Sequence, residues 1–97
     1  MRVEYEFEWD EEKNYGNQRK HGISFETAAK VFFDPKHIIK YDWEHSINEE
    51  RWKAIGRINW VVLIVHYTVR NGRTRIFSAR KAEREDKEDY ENGYGTT

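Results

Sequence analysis

The residues best suited to chemistry in this chain are the arginines, lysines and one histidine of residues 49–81. This segment has eight Lys/Arg against two Glu, a local charge of +6, whereas residues 1–48 and 82–97 carry −3 and −4. A sheet whose cations are balanced by acidic helices is the more frequent explanation of such segregation. The alternative is a cationic surface for a polyanion such as RNA.

Such a set of residues suits the cleavage of RNA without a metal ion. In that reaction the ribose 2′-hydroxyl attacks the adjacent phosphorus, which requires one group to accept a proton and another to donate one. Arginines offer bidentate donors to the phosphorane oxygens, and His66 can transfer protons near neutral pH. Glu50 is a second candidate proton acceptor. Each has a structural alternative, since a lone strand histidine is often structural and Glu50 can simply pair with Arg51.

Other site chemistries find little support in the sequence. There is no cysteine, and no two of the four histidines (His21, His37, His45 and His66) have the i, i+4 spacing of metal ligands. The segment 42–45, "DWEH", could contact a metal ion, but a solvated loop is favoured. Glycine-rich phosphate loops and nucleophile elbows are absent from the sequence. We therefore expect neither a metal nor a cofactor.

Helices and strands that position these residues can be predicted from local patterns. Residues 3–9 alternate apolar and acidic side chains, which indicates a half-buried strand. Asp10 can cap a helix that ends near Gly22. Ser24 can cap a second helix, which ends at residues 34–35 because proline disfavours a helical residue before it. "HIIKYDW" indicates a short strand, and residues 82–90 a charged surface helix.

Three further strands follow in quick succession, and their turns predict the faces of a sheet. Asn71-Gly72 is a strong hairpin signal, and it would place Thr68 opposite Arg75 and His66 opposite Phe77. A second turn at residues 58–59 would place Arg51 opposite His66. Alternation then gathers a polar set on one face: Arg51, Lys53, Arg57, His66, Thr68 and Arg75. The other face holds Trp52, Ala54, Leu63, Val65, Tyr67, Val69 and Ile76, and Arg80 has the opposite parity to the polar set.

Composition supports a single α+β domain. Aromatic residues make up 15% of 97 residues, so we expect Trp43, Trp52 and Trp60 to help fill the core. Trp9 lies at a strand end, where its ring can close one side of a groove. No apolar run is long enough to span a membrane, and the N-terminus lacks the apolar stretch of a signal peptide. We expect a cytoplasmic protein with a flexible tail from about residue 93.

Three segments resemble the BrnT family of bacterial toxins. They are W-D-x-x-K-x-x-x-N-x-x-K-H-G-I-S-F-x-x-A at residues 9–28, R-x-x-x-I-G-R at 51–57, and R-I-F-S-A-R at 75–80. The resemblance implies a RelE-like fold, a small antiparallel β-sheet with N-terminal helices packed on one face and a C-terminal helix. It also implies a ribonuclease that arrests translation, is neutralised by a BrnA-like ribbon-helix-helix antitoxin, and contacts promoter DNA only through that complex.

Motif positions and strand pairing together give the candidate site residues. The catalytic candidates are Glu50, Arg51, Arg57, His66, Arg75 and Arg80. The RNA-binding candidates are Trp9, Lys13, Lys20, His21, Lys53, Ser78 and Lys81. The final helix departs from the usual basic character of the family because "EREDKEDYE" is acidic; we expect its carboxylates to pair with neighbouring arginines. A non-catalytic protein that acts mainly as an antitoxin-binding co-repressor module is the alternative function.

Overall fold

The computed structural model describes residues 5–95 and confirms the α+β class. The elements are β1 (Phe7–Glu8), α1 (Glu11–His21), α2 (Phe25–Ala29), a 3-10 turn (Lys30–Phe33), β2 (Ile38–Tyr41), β3 (Trp52–Ile58), β4 (Val61–Arg70), β5 (Arg73–Lys81) and α3 (Arg84–Asn92). Of the predicted first strand, Val3 and Glu4 lie outside the described residues. No helix in the described part of the chain is both long and apolar enough to cross a membrane.

The five strands form one sheet in the order β1-β5-β4-β3-β2. Strands β2 to β5 pair antiparallel, whereas β1 pairs parallel with β5. The sheet is therefore mixed rather than purely antiparallel. The reason is that no hairpin joins β1 to its neighbour, so a turn does not dictate their relative direction.

The first two helices begin where the sequence predicts, and α1 also ends there, but α2 ends at Ala29 and only the 3-10 turn extends to Phe33, just before the predicted end at residues 34–35. Asp10 caps α1 by accepting a hydrogen bond from the Lys13 N–H at 3.1 Å, and Gly22 ends it in the left-handed conformation, at φ 71°. Ser24 caps α2 through the Thr27 N–H. Both helices pack on one face of the sheet, which we call the helical face. Its core includes Phe25, Ala28, Val31, Phe32, Leu63, Val65, Tyr67, Ile76 and Ala79.

One buried side chain, Asn17, ties α1 to β5. Its amide nitrogen donates to the carbonyls of Ile23 and Ala79, both at 2.8 Å, and its oxygen accepts from the Ala79 N–H at 3.1 Å. Both amide hydrogens and the amide oxygen of Asn17 therefore bond to backbone groups. Burying those backbone groups without partners would be costly. Asn17 therefore fixes the position of β5 at its C-terminal half.

The opposite face of the sheet, which we call the cavity face, is partly covered by α3. A second core there consists of Ile38, Ile55, Val62, Ile64, Ala82 and Tyr90. Lys40 of β2 forms an ion pair with Asp89 of α3. The Tyr90 hydroxyl donates to Asp34 at 2.5 Å, and burial together with that carboxylate raises the pKa of Tyr90 to about 12. These contacts place α3 over the half of the face that adjoins the turn between β3 and β4, where Lys87 and Glu91 lie beside Val62.

The β3–β4 turn lies one residue later than predicted, at Asn59-Trp60, and Asn59 has the positive φ of 55° that asparagine tolerates. As a result Lys53, rather than Arg51, lies opposite His66. The pairing changes by two residues on the partner strand, so each side chain remains on its predicted face. The predicted pairing is wrong, but the predicted division into two faces survives.

The β4–β5 hairpin turns at Asn71-Gly72 as predicted, and Thr68 lies opposite Arg75. Beyond Tyr67, however, a β-bulge interrupts the pairing, so His66 lies opposite Ser78 rather than Phe77. Phe77 is the extra residue of the bulge. The bulge reverses the parity of the rest of β5, which places Ala79 opposite Val65 and Arg80 opposite Ile64. The prediction that Arg80 lies on the other face is therefore wrong.

Candidate functional site

The half of the cavity face that α3 leaves open contains a shallow cavity of about 270 Å³. It is lined by Asp42, His45, Arg51, His66, Phe77 and Ser78. These residues come from the loop after β2, the residue before β3, the middle of β4 and the bulge of β5. The cavity thus forms where the loop folds back over the bulged part of the sheet.

Ser46 holds this loop in place. Its hydroxyl donates to the Asp42 carbonyl at 2.6 Å and accepts from the Arg51 N–H at 2.9 Å. The Asp42 N–H also donates to the Arg51 carbonyl at 2.9 Å, which continues the β2–β3 pairing by one step. The two ends of the loop are therefore joined through three hydrogen bonds, and Asp42 and Arg51 are fixed side by side.

Asp42 and His45 form an oriented pair at one wall of the cavity. Asp42 is only 3% exposed, and its carboxylate lies 2.9 and 3.1 Å from Nδ1 of His45. An ionised carboxylate can only accept, so Nδ1 carries a hydrogen and Nε2 is the ring nitrogen that gains or gives up a proton. The His45 side chain is 61% exposed. The arrangement is a buried carboxylate orienting an accessible imidazole.

Arg51 provides a guanidinium group that is largely uncommitted. The group stacks on the Phe77 ring, with 4.5 Å between the Arg51 Cζ and the ring centroid. Its closest carboxylate is Glu49 at 3.8 Å, and Glu49 instead forms a two-point contact with Arg70. Among the buried side-chain atoms of residues 5–95, the Arg51 Nε has no hydrogen-bond partner. The Nε is itself buried, but the Arg51 side chain is 37% exposed, so an acceptor such as a phosphate oxygen can approach the guanidinium from its exposed side.

His66 lies half-buried at the floor of the cavity, opposite Lys53 on one side and Ser78 on the other. Burial lowers the pKa of His66 to about 4, and the positive charges of Arg80 and Lys53 act in the same direction. The carboxylate of Asp42 opposes this shift only in part. His66 is therefore a neutral imidazole at neutral pH, able to accept a proton but not to donate one.

Two further arginines flank His66 on β5. Arg80 faces the cavity side because of the bulge, and its nearest acidic neighbour is Glu83 at 3.8 Å. Arg75 is more strongly paired, with 2.7 Å between its guanidinium and Glu8 of β1. The acidic partner of Arg75 thus comes from β1. The carboxylates at the start of the final helix were expected to pair with arginines, and among the ion pairs of the described residues only Glu83 does so, with Arg80.

The structure brings part of the predicted site together. Arg51, His66 and Ser78 line the cavity, Lys53 and Arg80 lie close enough to His66 to lower its pKa, and Arg75 lies opposite Thr68, two residues further along β4. Arg57 lies apart: six residues of strand separate it from Arg51, about 20 Å, and its guanidinium lies over the Tyr90 ring. Glu50 is exposed, and the residues that line the cavity do not include it. Its carbonyl accepts a hydrogen bond from Thr68 at 2.6 Å.

The remaining predicted RNA-binding residues lie elsewhere. Lys13, Lys20 and His21 belong to α1, which packs on the helical face and not on the cavity face. Trp9 packs against Phe25 on the same side, and its indole N–H donates to Glu11 at 2.6 Å. The sheet therefore separates these residues from the cavity. Lys81 lies at the end of β5, near the β3–β4 turn.

That turn forms an exposed apolar groove, bounded by Ile23, Thr27, Ile58, Asn59, Trp60, Val61, Leu63 and Lys81. Trp60 is 94% exposed and Trp43, beside the cavity loop, is 80% exposed. The expectation that these two residues belong to the core is therefore wrong. Trp60 is exposed because the turn lies one residue later than predicted, and Trp43 because it belongs to the loop rather than to β2.

Sequence reasoning missed the Asp42–His45 pair as a possible proton-transfer group. The available signal was the aspartate three residues before a histidine, in a segment otherwise interpreted as a solvated loop. What the sequence does not reveal is that Ser46 closes the loop and buries Asp42.

Comparisons with known proteins complete this description. No curated protein sequence matches the chain significantly. A family model described as "Ribonuclease toxin, BrnT, of type II toxin-antitoxin system" matches residues 9–86, which include all the strands from β2 onward and every residue that lines the cavity. The chain therefore belongs to the BrnT family of ribonuclease toxins of type II toxin–antitoxin systems.

Proposed function

We propose that this protein is a metal-independent endoribonuclease whose active site is the cavity between the loop after β2 and the bulge of β5. The observation that carries the proposal is a neutral histidine, His66, in a cavity that Arg51 also lines and close to the cations of Lys53 and Arg80. Membership of a ribonuclease family supplies the reaction class. The cations supply the attraction for the phosphodiester backbone.

In the proposed reaction, His66 accepts the proton of the ribose 2′-hydroxyl. The 2′-oxygen then bonds to phosphorus, the bond from phosphorus to the 5′-oxygen breaks, and the products are a 2′,3′-cyclic phosphate and a 5′-hydroxyl. Because the pKa of His66 is lowered to about 4, the imidazole is available as a base throughout the neutral range. A positioned general base typically contributes 10²- to 10⁴-fold to the rate, and the low pKa of His66, which makes it a weaker base, places its contribution at the lower end of that range.

Arg51 is the best candidate for stabilising the phosphorane. Its planar guanidinium is held over the Phe77 ring and the side chain is 37% exposed, so a phosphate oxygen can bind donors that are already in place. Arg80, on β5, is a second cation that can offset the negative charge of the phosphorane. Arg75 is held by Glu8, which suits it to contact the backbone of a neighbouring nucleotide rather than the reacting phosphate.

The donor set of the cavity supports a reaction without metal. In residues 5–95, no three His, Asp or Glu side chains come close enough together to hold a metal ion. The groups that line the cavity are instead those of proton transfer and anion binding. We therefore expect cleavage of a defined RNA to continue in excess EDTA; loss of activity in EDTA that Mg²⁺ or Mn²⁺ restores would contradict the metal-free mechanism.

The location of the active site can be tested with matched pairs of variants. His66→Gln should lower cleavage at least 100-fold, whereas His21→Gln, on the helical face, should leave it unchanged. Arg51→Ala should likewise abolish cleavage, whereas Arg57→Ala, about 20 Å along the same strand, should retain most of it. The measurement is single-turnover cleavage of a labelled RNA by folded variants. Equal loss in Arg51→Ala and Arg57→Ala would place the active site elsewhere.

We further propose that cleavage in the cytoplasm arrests translation and that a BrnA-type antitoxin with a ribbon-helix-helix domain neutralises the enzyme. The apolar groove at the β3–β4 turn supports a protein partner, since an exposed Trp60 beside Ile58 and Val61 is typical of an interface anchor. Trp60→Ala should weaken binding of the antitoxin encoded beside this gene at least tenfold while RNA cleavage is retained. Unchanged affinity would exclude this groove as the contact.

The apolar groove also supports the second candidate function, that of a non-catalytic protein that acts only by binding the antitoxin. Expression of the chain without its antitoxin separates the two functions. A ribonuclease should arrest growth and fragment cellular RNA, and His66→Gln should abolish both effects. Intact RNA in cells that contain folded protein would favour the binding module.

A further inference from the structure

We propose that His45, oriented by Asp42, is the general acid that protonates the leaving 5′-oxygen in the cleavage reaction. This inference rests on the proposed ribonuclease function, and it assigns the second proton transfer, which His66 cannot perform. The starting observation is that two imidazoles line one small cavity but lie in opposite environments.

His66 is half-buried, and cations approach it from two strands: Lys53 from β3 and Arg80 from β5. His45 is exposed. It is hydrogen-bonded to the carboxylate of Asp42, and the guanidinium of Arg51 lines the same cavity. On its outer side lie Glu49 and Arg70, which are paired with each other. Two titratable groups in such different surroundings are typical of an acid and base assignment.

The geometry of the pair fits proton donation. Asp42 accepts from Nδ1 of His45, so the transferable proton belongs to Nε2, the nitrogen on the far side of the ring from the carboxylate. The Asp42 carboxylate, 3% exposed, cannot be reached freely by solvent and holds the ring in one orientation. The backbone N–H of His45 also points to Asp42, at 3.4 Å. Asp42 is therefore a positioning residue for the imidazole.

Each of the two histidines carries out one proton transfer in the reaction. His66 takes the proton of the 2′-hydroxyl as the 2′-oxygen bonds to phosphorus, and Nε2 of the protonated His45 gives its proton to the 5′-oxygen as the bond to phosphorus breaks. His66 is left protonated and His45 neutral, and exchange with water restores both. Arg51, which lines the same cavity as the two histidines, is the proposed ligand of the non-bridging oxygens throughout.

A leaving group that needs no proton provides the test. In an RNA whose scissile 5′-oxygen is replaced by sulfur, the departing thiolate is stable, so a general acid contributes little. We expect His45→Gln to cleave the ordinary RNA at least 100-fold more slowly than wild type, and the sulfur-containing RNA within about threefold of the wild-type rate. His66→Gln, which lacks the base, should be slow on both substrates.

Asp42→Asn tests the positioning role, because the amide can no longer accept as a carboxylate does. We expect a smaller loss on the ordinary RNA than for His45→Gln and the same recovery on the sulfur-containing RNA. His45 is largely exposed, so His45→Gln should fold even if Asp42→Asn does not, and thermal melts check both. Equal loss of His45→Gln on the two substrates, or no loss on either, would overturn the inference. Wild-type protein inactive on both RNAs would overturn the proposed ribonuclease function itself, and the inference with it.

Discussion

The lowered pKa of His66 predicts that the protein loses stability in mild acid through this one residue. In the unfolded chain a histidine titrates near 6.5, whereas in the folded protein the pKa of His66 is about 4. Between these values the unfolded state binds more protons, so the free energy of unfolding must fall as the pH drops below about 6.5. The full effect of this shift is about 3 kcal/mol, of which about 2 kcal/mol is lost by pH 5.

Replacement of His66 by glutamine isolates this contribution from that of the carboxylates. We expect the free energy of unfolding of wild type to fall by about 2 kcal/mol more than that of His66→Gln between pH 8 and pH 5. The assay is urea denaturation of both proteins at several pH values, with unchanged m-values as the check on two-state behaviour. Parallel pH profiles would refute the burial and charge argument for His66, and with it the assignment of His66 as a neutral base.

Three other predictions concern packing and charge geometry. Asn17→Ala should destabilise the protein by about 2–4 kcal/mol, because it leaves buried backbone groups without partners, whereas Arg19→Ala on the exposed side of the same helix should change stability by less than about 0.5 kcal/mol; urea denaturation compares them. Tyr90→Phe keeps the ring but removes the hydrogen bond to Asp34, so a cost of about 1–2 kcal/mol is expected, and a thermal melt equal to that of wild type would contradict it. Arg51→Lys should slow RNA cleavage at least tenfold despite equal charge, because an ammonium cannot make a planar two-point contact, and wild-type rates in a folded variant would exclude that contact.

Local signals in the sequence predict most of the fold. Asp10 and Gly22 bound α1 because capping depends on a few neighbouring residues, and Asn71-Gly72 sets its hairpin for the same reason. The predicted β3–β4 turn differs from the observed one by one residue because Ile58-Asn59 and Asn59-Trp60 are similar local candidates for a turn. Side-chain parity is unaffected because the change in pairing is an even number of residues.

The site is less predictable because it depends on contacts between distant residues. The bulge at Phe77 has no clear local signature, yet it decides that Arg80 faces the cavity. Asp42 is buried in a loop whose two ends are joined by Ser46, which bonds to both Asp42 and Arg51. Strand alternation places Arg57 on the same face as Arg51 but gives no information about how far apart the two residues lie along the strand. Pattern analysis therefore identifies the cationic face but not the cavity within it.

The bulge of β5 also has an evolutionary consequence. Phe77 is one residue more than regular pairing between β4 and β5 requires, so a lineage can lose it in a single deletion without changing which face Ala79 and Arg80 occupy. What such a deletion would remove is the ring beneath the Arg51 guanidinium. We therefore expect the sheet to tolerate a difference of one residue among relatives at this point of the strand. A relative that is one residue shorter here would have to orient its arginine by some other means.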